Sequence, residues 1–264
     1  MAIFPSTSIP SAADGYDIPN SCRFDGQDQN LLARVPSTTG NQRTYTISFW
    51  WKFGGANSNS GTASLVNYGG TQNYIITSQY TPGTGGGRYW IIRMQTEQLR
   101  FTTGDASDTT DPSPLAMELR TNRKFRDISA WYHICLSVDT TQATASNRGK
   151  LYVNGVQETS FQTANYGAQN DIHFINHTNT TMQVGGINAS GWSPNASYSA
   201  SGYIAEYHQI DGTALTPTSF GETDEDWEVW KPKEVTGLTY GTNGFYLDLN
   251  LLAVLVMMQL EVII

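Results

Sequence analysis

From Thr44 to Phe53 the chain reads TYTISFWWKF, with Tyr45, Ile47, Phe49, Trp51 and Phe53 at one set of alternate positions and Thr44, Thr46, Ser48, Trp50 and Lys52 at the other. Successive side chains of a strand point to opposite faces, so this period of two predicts a strand with one face in a core and the other mostly wet. WYHICLSVD repeats the pattern through Tyr132, Ile134, Leu136 and Val138. KLYVNGVQE then sets Asn154-Gly155, the strongest short hairpin signal, between two short strands. Further strands are expected at 64–68, 73–77, 89–96, 99–103, 181–184 and 201–210. None is followed by a ten-residue amphipathic helix, which argues against parallel βαβ winding. The pattern predicts an all-β fold, an antiparallel two-sheet jelly-roll sandwich. Its connections at 54–61, 81–88, 104–114 and 187–200 are long, and such loops are where a sandwich usually carries binding function.

Composition narrows the picture. The chain has 264 residues, enough for one large all-β domain or two small ones, and only 14% are charged. Twenty-five glycines with 14 tyrosines and 7 tryptophans suit short strands joined by polar loops. Fifteen basic against 23 acidic residues give a net charge of −8 and leave no basic stripe for phosphates, so a nucleic-acid partner is not expected. Residues 1–20, with Pro5, Pro10 and Pro19, read as an N-terminal arm with neither a basic n-region nor a long h-region, so no secretory signal is expected. Two cysteines, Cys22 and Cys135, are too few for a disulfide framework and read as small thiols buried in strands. At the other end, Leu251–Ile264 is a run of fourteen residues interrupted by Gln259 and Glu261. That is short of the ~20 apolar residues a membrane span needs, so no span is expected.

Candidate chemistry is sparse. A sugar site needs an aromatic face for the apolar side of the ring and amides or carboxylates for its hydroxyls. The 187–200 loop, INASGWSPNASYSA, offers Trp192, Tyr198, Asn188 and Asn195 for a glycan. The competing reading is that Trp192 plugs the end of the sandwich. In FDGQD, Asp25 and Asp28 could give calcium the hard oxygen ligands it prefers, and Asx turns account for the same residues without a metal. No cofactor is required by any motif. A glycoside hydrolase needs two carboxylates flanking the scissile bond. ETDEDWE, at Glu222 to Glu228, follows Pro217 in an expected loop and reads as an acidic surface turn. His133, His173, His177 and His208 lack zinc-site spacing, and His133 and His208 read as strand residues bonded to their neighbours. GTGGG at 83–87 has no Lys-Ser or Lys-Thr for phosphate, and the sequons at Asn176, Asn179, Asn188 and Asn195 read as coincidence in Asn-rich text.

Four stretches together resemble the concanavalin A-like lectin/glucanase superfamily in its laminin-G-like branch. SCRFDGQDQNLLAR is similar to the opening strand and turn, YTISFWWKF to the second core strand, the run from Trp131 to Glu158 to the Trp-His strand and its hairpin, and SGYIAEYHQIDGTAL to the closing strand. The resemblance implies a laminin-G-like jelly-roll domain over 21–215. The following text, LTPTSFGETDEDWEVWKPKEVTGLTYGTNGFYLD, resembles a segment recurrent in structural proteins of marine tailed phages, and gives 216–248 as a C-terminal extension packing on the domain or on a neighbour. In such proteins polar text follows. Met257-Met258 before Gln259 spells ATG-ATG-CA, which one base out of frame reads Asp-Ala, and the neighbouring codons permit Ser, Gly, Thr and Asn. Residues 249–264 are therefore expected to be a frameshift remnant, the alternative being a docking element.

The resemblance implies a non-enzymatic virion component, at a tail fibre or capsid surface, made in the host cytoplasm. Its implied partners are a cell-surface glycan or polysaccharide and other virion proteins, with room for a homo-oligomer. Calcium is the one metal the family implies. Two alternatives stand beside this reading: a glucanase-like glycoside hydrolase, and a purely structural virion subunit without glycan binding.

Overall fold

The structure is a computed structural model, and it describes residues 15–26, 31–54, 73–81, 87–105, 115–187 and 199–250. Strands are β1 (Cys22–Asp25), β2 (Leu32–Arg34), β3 (Thr44–Phe53), β4 (Asn73–Thr81), β5 (Arg88–Gln95), β6 (Gln98–Asp105), β7 (Leu115–Thr121) and β8 (Trp131–Asp139). They continue as β9 (Gly149–Val153), β10 (Val156–Gln157), β11 (Phe161–Asn165), β12 (Met182–Val184), β13 (Ser201–Asp211), β14 (Gly221–Thr223), β15 (Trp230–Pro232) and β16 (Phe245–Leu247). All pairings are antiparallel. The first sheet runs β1-β13-β3-β8-β9-β10, with β16 also on β13; the second runs β11-β7-β6-β5-β4-β12-β2; β14 and β15 form a separate hairpin.

The period of two explains the core. Tyr45, Ile47, Phe49 and Trp51 of β3, with Ile134, Leu136 and Val138 of β8, face Trp90, Ile92 and Met94 of β5 and Leu99 and Phe101 of β6 across the sandwich. Each large side chain removed from water contributes about 1.5–3 kcal/mol. Within the core Trp90 Nε1 donates to Tyr45 Oη at 3.0 Å, and Tyr45 Oη lies 2.7 Å from His173 Nδ1. Burial holds the His173 imidazole neutral by lowering its pKa to about 3.

The other face of β3 corrects the sequence reading. Thr46, Ser48 and Trp50 were expected to face water, yet they are 0%, 1% and 7% exposed. A third layer covers them. Phe220 is buried against Cys135 and Ile210, with Leu215, Val235, Leu238 and Tyr240 packed around it. Thr46 Oγ1 donates to Thr213 O at 2.8 Å and accepts from Leu215 N at 2.7 Å, tying the start of that layer to the sheet. The far end is tied at Asp211, whose carboxylate accepts from Asn41 N at 2.7 Å, Asn176 Nδ2 at 3.1 Å and Asn243 N at 2.9 Å. The buried amide of Asn176 is consumed in this network, which leaves its sequon no exposed nitrogen for a glycan.

Turns follow their residues. Asn154 and Gly155 close the β9–β10 hairpin at φ 49° and 76°, and a Cβ at position 155 would run into the Trp230 ring. The ETDEDWE segment is the β14–β15 hairpin, where Asp224 Oδ1 accepts from the backbone nitrogens of Asp226 and Trp227, both at 3.0 Å. Cys135 is buried and Cys22 half-buried, both free. No helix among the described residues is long and apolar enough to cross a membrane.

Candidate ligand-binding cleft

Along the outer face of the first sheet, pairing places Tyr203 of β13, Lys52 of β3 and Trp131 of β8 in one row and Ala205, Trp50 and His133 in the next. The third layer covers the second row only in part. Trp230 stacks on His133 at 5.6 Å between ring centroids, and His133 in turn packs against Trp50 at 5.1 Å. Beyond Pro232 the cover stops, and the first row stays open. A cleft of about 280 Å³ forms there, floored by Trp50 and Ala205 and walled by Trp131, Pro232 and the 18–21 segment. Ligand pockets run from about 300 Å³ upward, so the space suits one sugar-sized ring better than an extended ligand.

Trp131 supplies the accessible aromatic surface. It is 36% exposed, although it sits in a strand, and Tyr203 holds it edge-on with centroids 6.3 Å apart and planes at 61°. A ring with an apolar face can lie against an indole, while its hydroxyls meet the polar rim. That rim includes Asn20 and Ser21 on the facing wall. Outside it, Asp127 is held below the usual carboxylate range by the hydroxyl and N–H of Ser129, and Lys52 adds a smaller effect.

One wall is fixed by Glu206. Its carboxylate accepts from Tyr16 Oη at 3.0 Å and from Tyr246 Oη at 2.7 Å, and lies 3.6 Å from His208 Nε2. Burial pushes its pKa up, but the His208 ring beside it and the hydrogen bonds from Tyr246 and Tyr16 outweigh burial and hold it below the ordinary value. His208 is clamped flat against Tyr246, 4.5 Å away with planes 9° apart, and its Nδ1 lies 2.9 Å from Tyr240 Oη. Glu206 occupies a left-handed backbone conformation, φ 47°, at the bulge between Ala205 and His208. A non-glycine residue there costs about 1–2 kcal/mol. The bulge turns Glu206 outward while Ile204 and Tyr207 stay in the core, so the strain buys an anchor for the segment carrying Tyr16 to Ser21.

Trp192, Tyr198, Asn188 and Asn195 lie outside the described residues, as does Asp28. Asp25 is exposed at the end of β1, opposite Ser201. Among the described residues no three His, Cys, Asp or Glu side chains gather into one group. Nor do the contacts of Glu206 include a second carboxylate among those residues, and a glycosidase pair is not formed around it. Trp50, Trp131, Tyr203 and Glu206 were not singled out from sequence. The available signal was two tryptophans on the polar faces of otherwise alternating strands.

The family model of the concanavalin A-like lectin/glucanases superfamily, in its laminin-G form, matches residues 25–219. No curated protein matches the chain. Among solved structures, the heptameric pentraxin of Limulus polyphemus is similar at 17% identity and a TM-score of 0.47, over 76% of this chain and 80% of its own. Domains LG4–5 of the mouse laminin α1 chain match at 12% and 0.46, over 82% of this chain and 45% of theirs. The botulinum neurotoxin serotype D ligand-binding domain, solved with N-acetylneuraminic acid, matches at 11% and 0.46, over 75% and 40%. The chain thus spans less than half of the laminin and toxin chains it resembles.

Proposed function

The chain belongs to the concanavalin A-like lectin/glucanases superfamily, and from that premise we propose that it is a non-enzymatic glycan-binding module, carried as an adhesion or tail-fibre subunit of a phage particle. The observation that carries the binding part is the cleft beside Trp131: an exposed indole, held in place by Tyr203, at the edge of the third layer. Its size and its aromatic wall suit a neutral saccharide ring docked by stacking. Glu206 acts as a positioning residue, since it fixes the facing wall through Tyr16 without entering the cleft lining. The virion part is supported by the likeness of the 216–248 segment to phage structural proteins. In this fold that segment forms much of the third layer and borders the cleft through Pro232.

The reading is tested by screening the full chain on a broad panel of neutral and acidic glycans beside a Trp131→Ala variant of matched circular dichroism and melting temperature. Aromatic–sugar stacking is worth about 1–2 kcal/mol, so the variant should bind about 5- to 30-fold more weakly. Unchanged affinity would remove the cleft from the account. Binding to nothing on the panel, together with recovery of the chain in purified particles, would leave a structural subunit. Release of reducing sugar, abolished by a single carboxylate substitution, would establish a hydrolase instead.

A further inference from the structure

The face of the second sheet that points away from the core carries a row of three arginines. Pairing sets Arg93 of β5 opposite Arg100 of β6, and Arg100 opposite Arg120 of β7. Residues directly opposite in antiparallel strands hold their Cβ atoms about 4.5–5.5 Å apart, where like charges destabilise the sheet. Among the described residues one carboxylate answers them. Glu118 Oε1 lies 2.8 Å from Arg100 Nε, an ion pair whose N–H is not aimed along a hydrogen-bond axis. Arg100 also donates from Nη1 to Gln95 Oε1 at 2.7 Å. Among the described residues neither Arg93 nor Arg120 makes a hydrogen bond or ion pair, and the Nε of each is buried without an acceptor. Among the described side chains three guanidinium groups against one carboxylate give a local charge of +2 in a chain of net charge −8.

This arrangement is costly as a purely structural feature. Burial lowers the Arg93 pKa to about 10, and the Arg100 charge beside it adds to the shift. Arg120 is lowered by the same two causes in the same order. A guanidinium offers planar, forked donors that match an oxyanion on two oxygens at once. An oxyanion seated on the row would supply the acceptors that Arg93 and Arg120 lack and cancel the repulsion along it. The apolar neighbours Ile75, Tyr89 and Ile91 flank the row and lower the local dielectric, which strengthens such a contact.

We propose that Arg93, Arg100 and Arg120 form a binding site for an oxyanion: the sulfate ester or carboxylate of an acidic saccharide, or a free inorganic anion of the same geometry. The site lies on the opposite side of the sandwich from the Trp131 cleft and stands whether or not that cleft binds sugar.

The test compares melting midpoints of the full chain in sodium chloride and sodium sulfate at matched ionic strength, for the unsubstituted protein, Arg93→Met and Arg120→Gln. Sulfate stabilises most proteins by exclusion from their surface, so the difference between variants is the readout. In chloride the two variants should melt at or above the unsubstituted protein, because each removes a like-charge neighbour. In sulfate the unsubstituted protein should gain about 3 °C or more beyond the gain of either variant. Equal gains in all three proteins, or a marked loss of stability of both variants in chloride, would overturn the proposal. Titration with sulfated and uronate-containing oligosaccharides then separates the sources. Tighter binding than inorganic sulfate, weakened at least tenfold by Arg93→Met, identifies the saccharide; an effect confined to inorganic sulfate and phosphate identifies the free anion.

Discussion

Asp211 offers the sharpest test of how the third layer is held. Its two oxygens accept three hydrogen bonds, and each donor belongs to a different part of the chain: Asn41 before β3, Asn176 before β12, and Asn243 before β16. Asn41 is exposed, so water can replace its partner, but Asn176 and Asn243 are buried. Asp211→Ala therefore strands two buried donors at about 1–3 kcal/mol each, a loss of roughly 4 kcal/mol. A domain of this size loses about 2–4 °C of melting temperature per kcal/mol, which gives a drop of about 8–16 °C. Asp211→Asn keeps one acceptor oxygen and should lose about half as much. Thermal unfolding followed by tryptophan fluorescence reads both values. Limited trypsin digestion should cut faster at Lys233 in Asp211→Ala, because the layer loses its Asn243 anchor. A drop below about 3 °C, with unchanged proteolysis, would show that the network does not hold the layer.

Other expectations follow from buried ionisable groups and the bulge. His133 and His173 are each lowered to about 3, mainly by burial. The unfolded chain takes up their protons first as pH falls below about 6.5, so their contribution is complete above that pH and is lost progressively toward pH 3. Denaturant titrations should show about 3 kcal/mol less stability at pH 5.5 than at pH 8, and His133→Asn should remove about half of that dependence. Glu206 is held below its ordinary value, so its contribution adds a further loss only as pH falls below about 4.5. At the left-handed position of Glu206, Glu206→Gly should be more stable than Glu206→Ala by about 1 kcal/mol, since both lose the same hydrogen bonds and only alanine keeps the backbone strain. Equal stabilities in a denaturant titration would mean that the bulge relaxes.

What the sequence discloses here depends on which forces leave a periodic trace. The core faces of β3 and β8 are legible because burial on one side imposes an apolar period of two, and Asn154-Gly155 is legible because the turn demands positive φ. β7, LAMELRT, was not anticipated: its outer positions Glu118 and Arg120 belong to the arginine row, so charge and partial burial break the apolar rhythm. In β13 the bulge at Glu206 shifts the phase, and Tyr207 reaches the core out of step with Ile204. The third layer is built by side chains scattered through Gly- and Pro-containing turns, with no period to detect. Its cleft joins residues near position 20 to others near 131 and 232, and only the unexpected placement of Trp50 and Trp131 on polar faces hinted at it.

The most direct measurement of the central claim is ¹⁹F NMR of the full chain labelled with 5-fluorotryptophan, its seven tryptophan resonances assigned by single substitutions and followed as a glycan from the panel is added. The account predicts that the Trp131 and Trp50 signals move with saturation while the core residues Trp51 and Trp90 stay fixed. Movement of the Trp192 signal alone, with Trp131 unchanged, would place the glycan at the 187–200 loop and contradict the cleft.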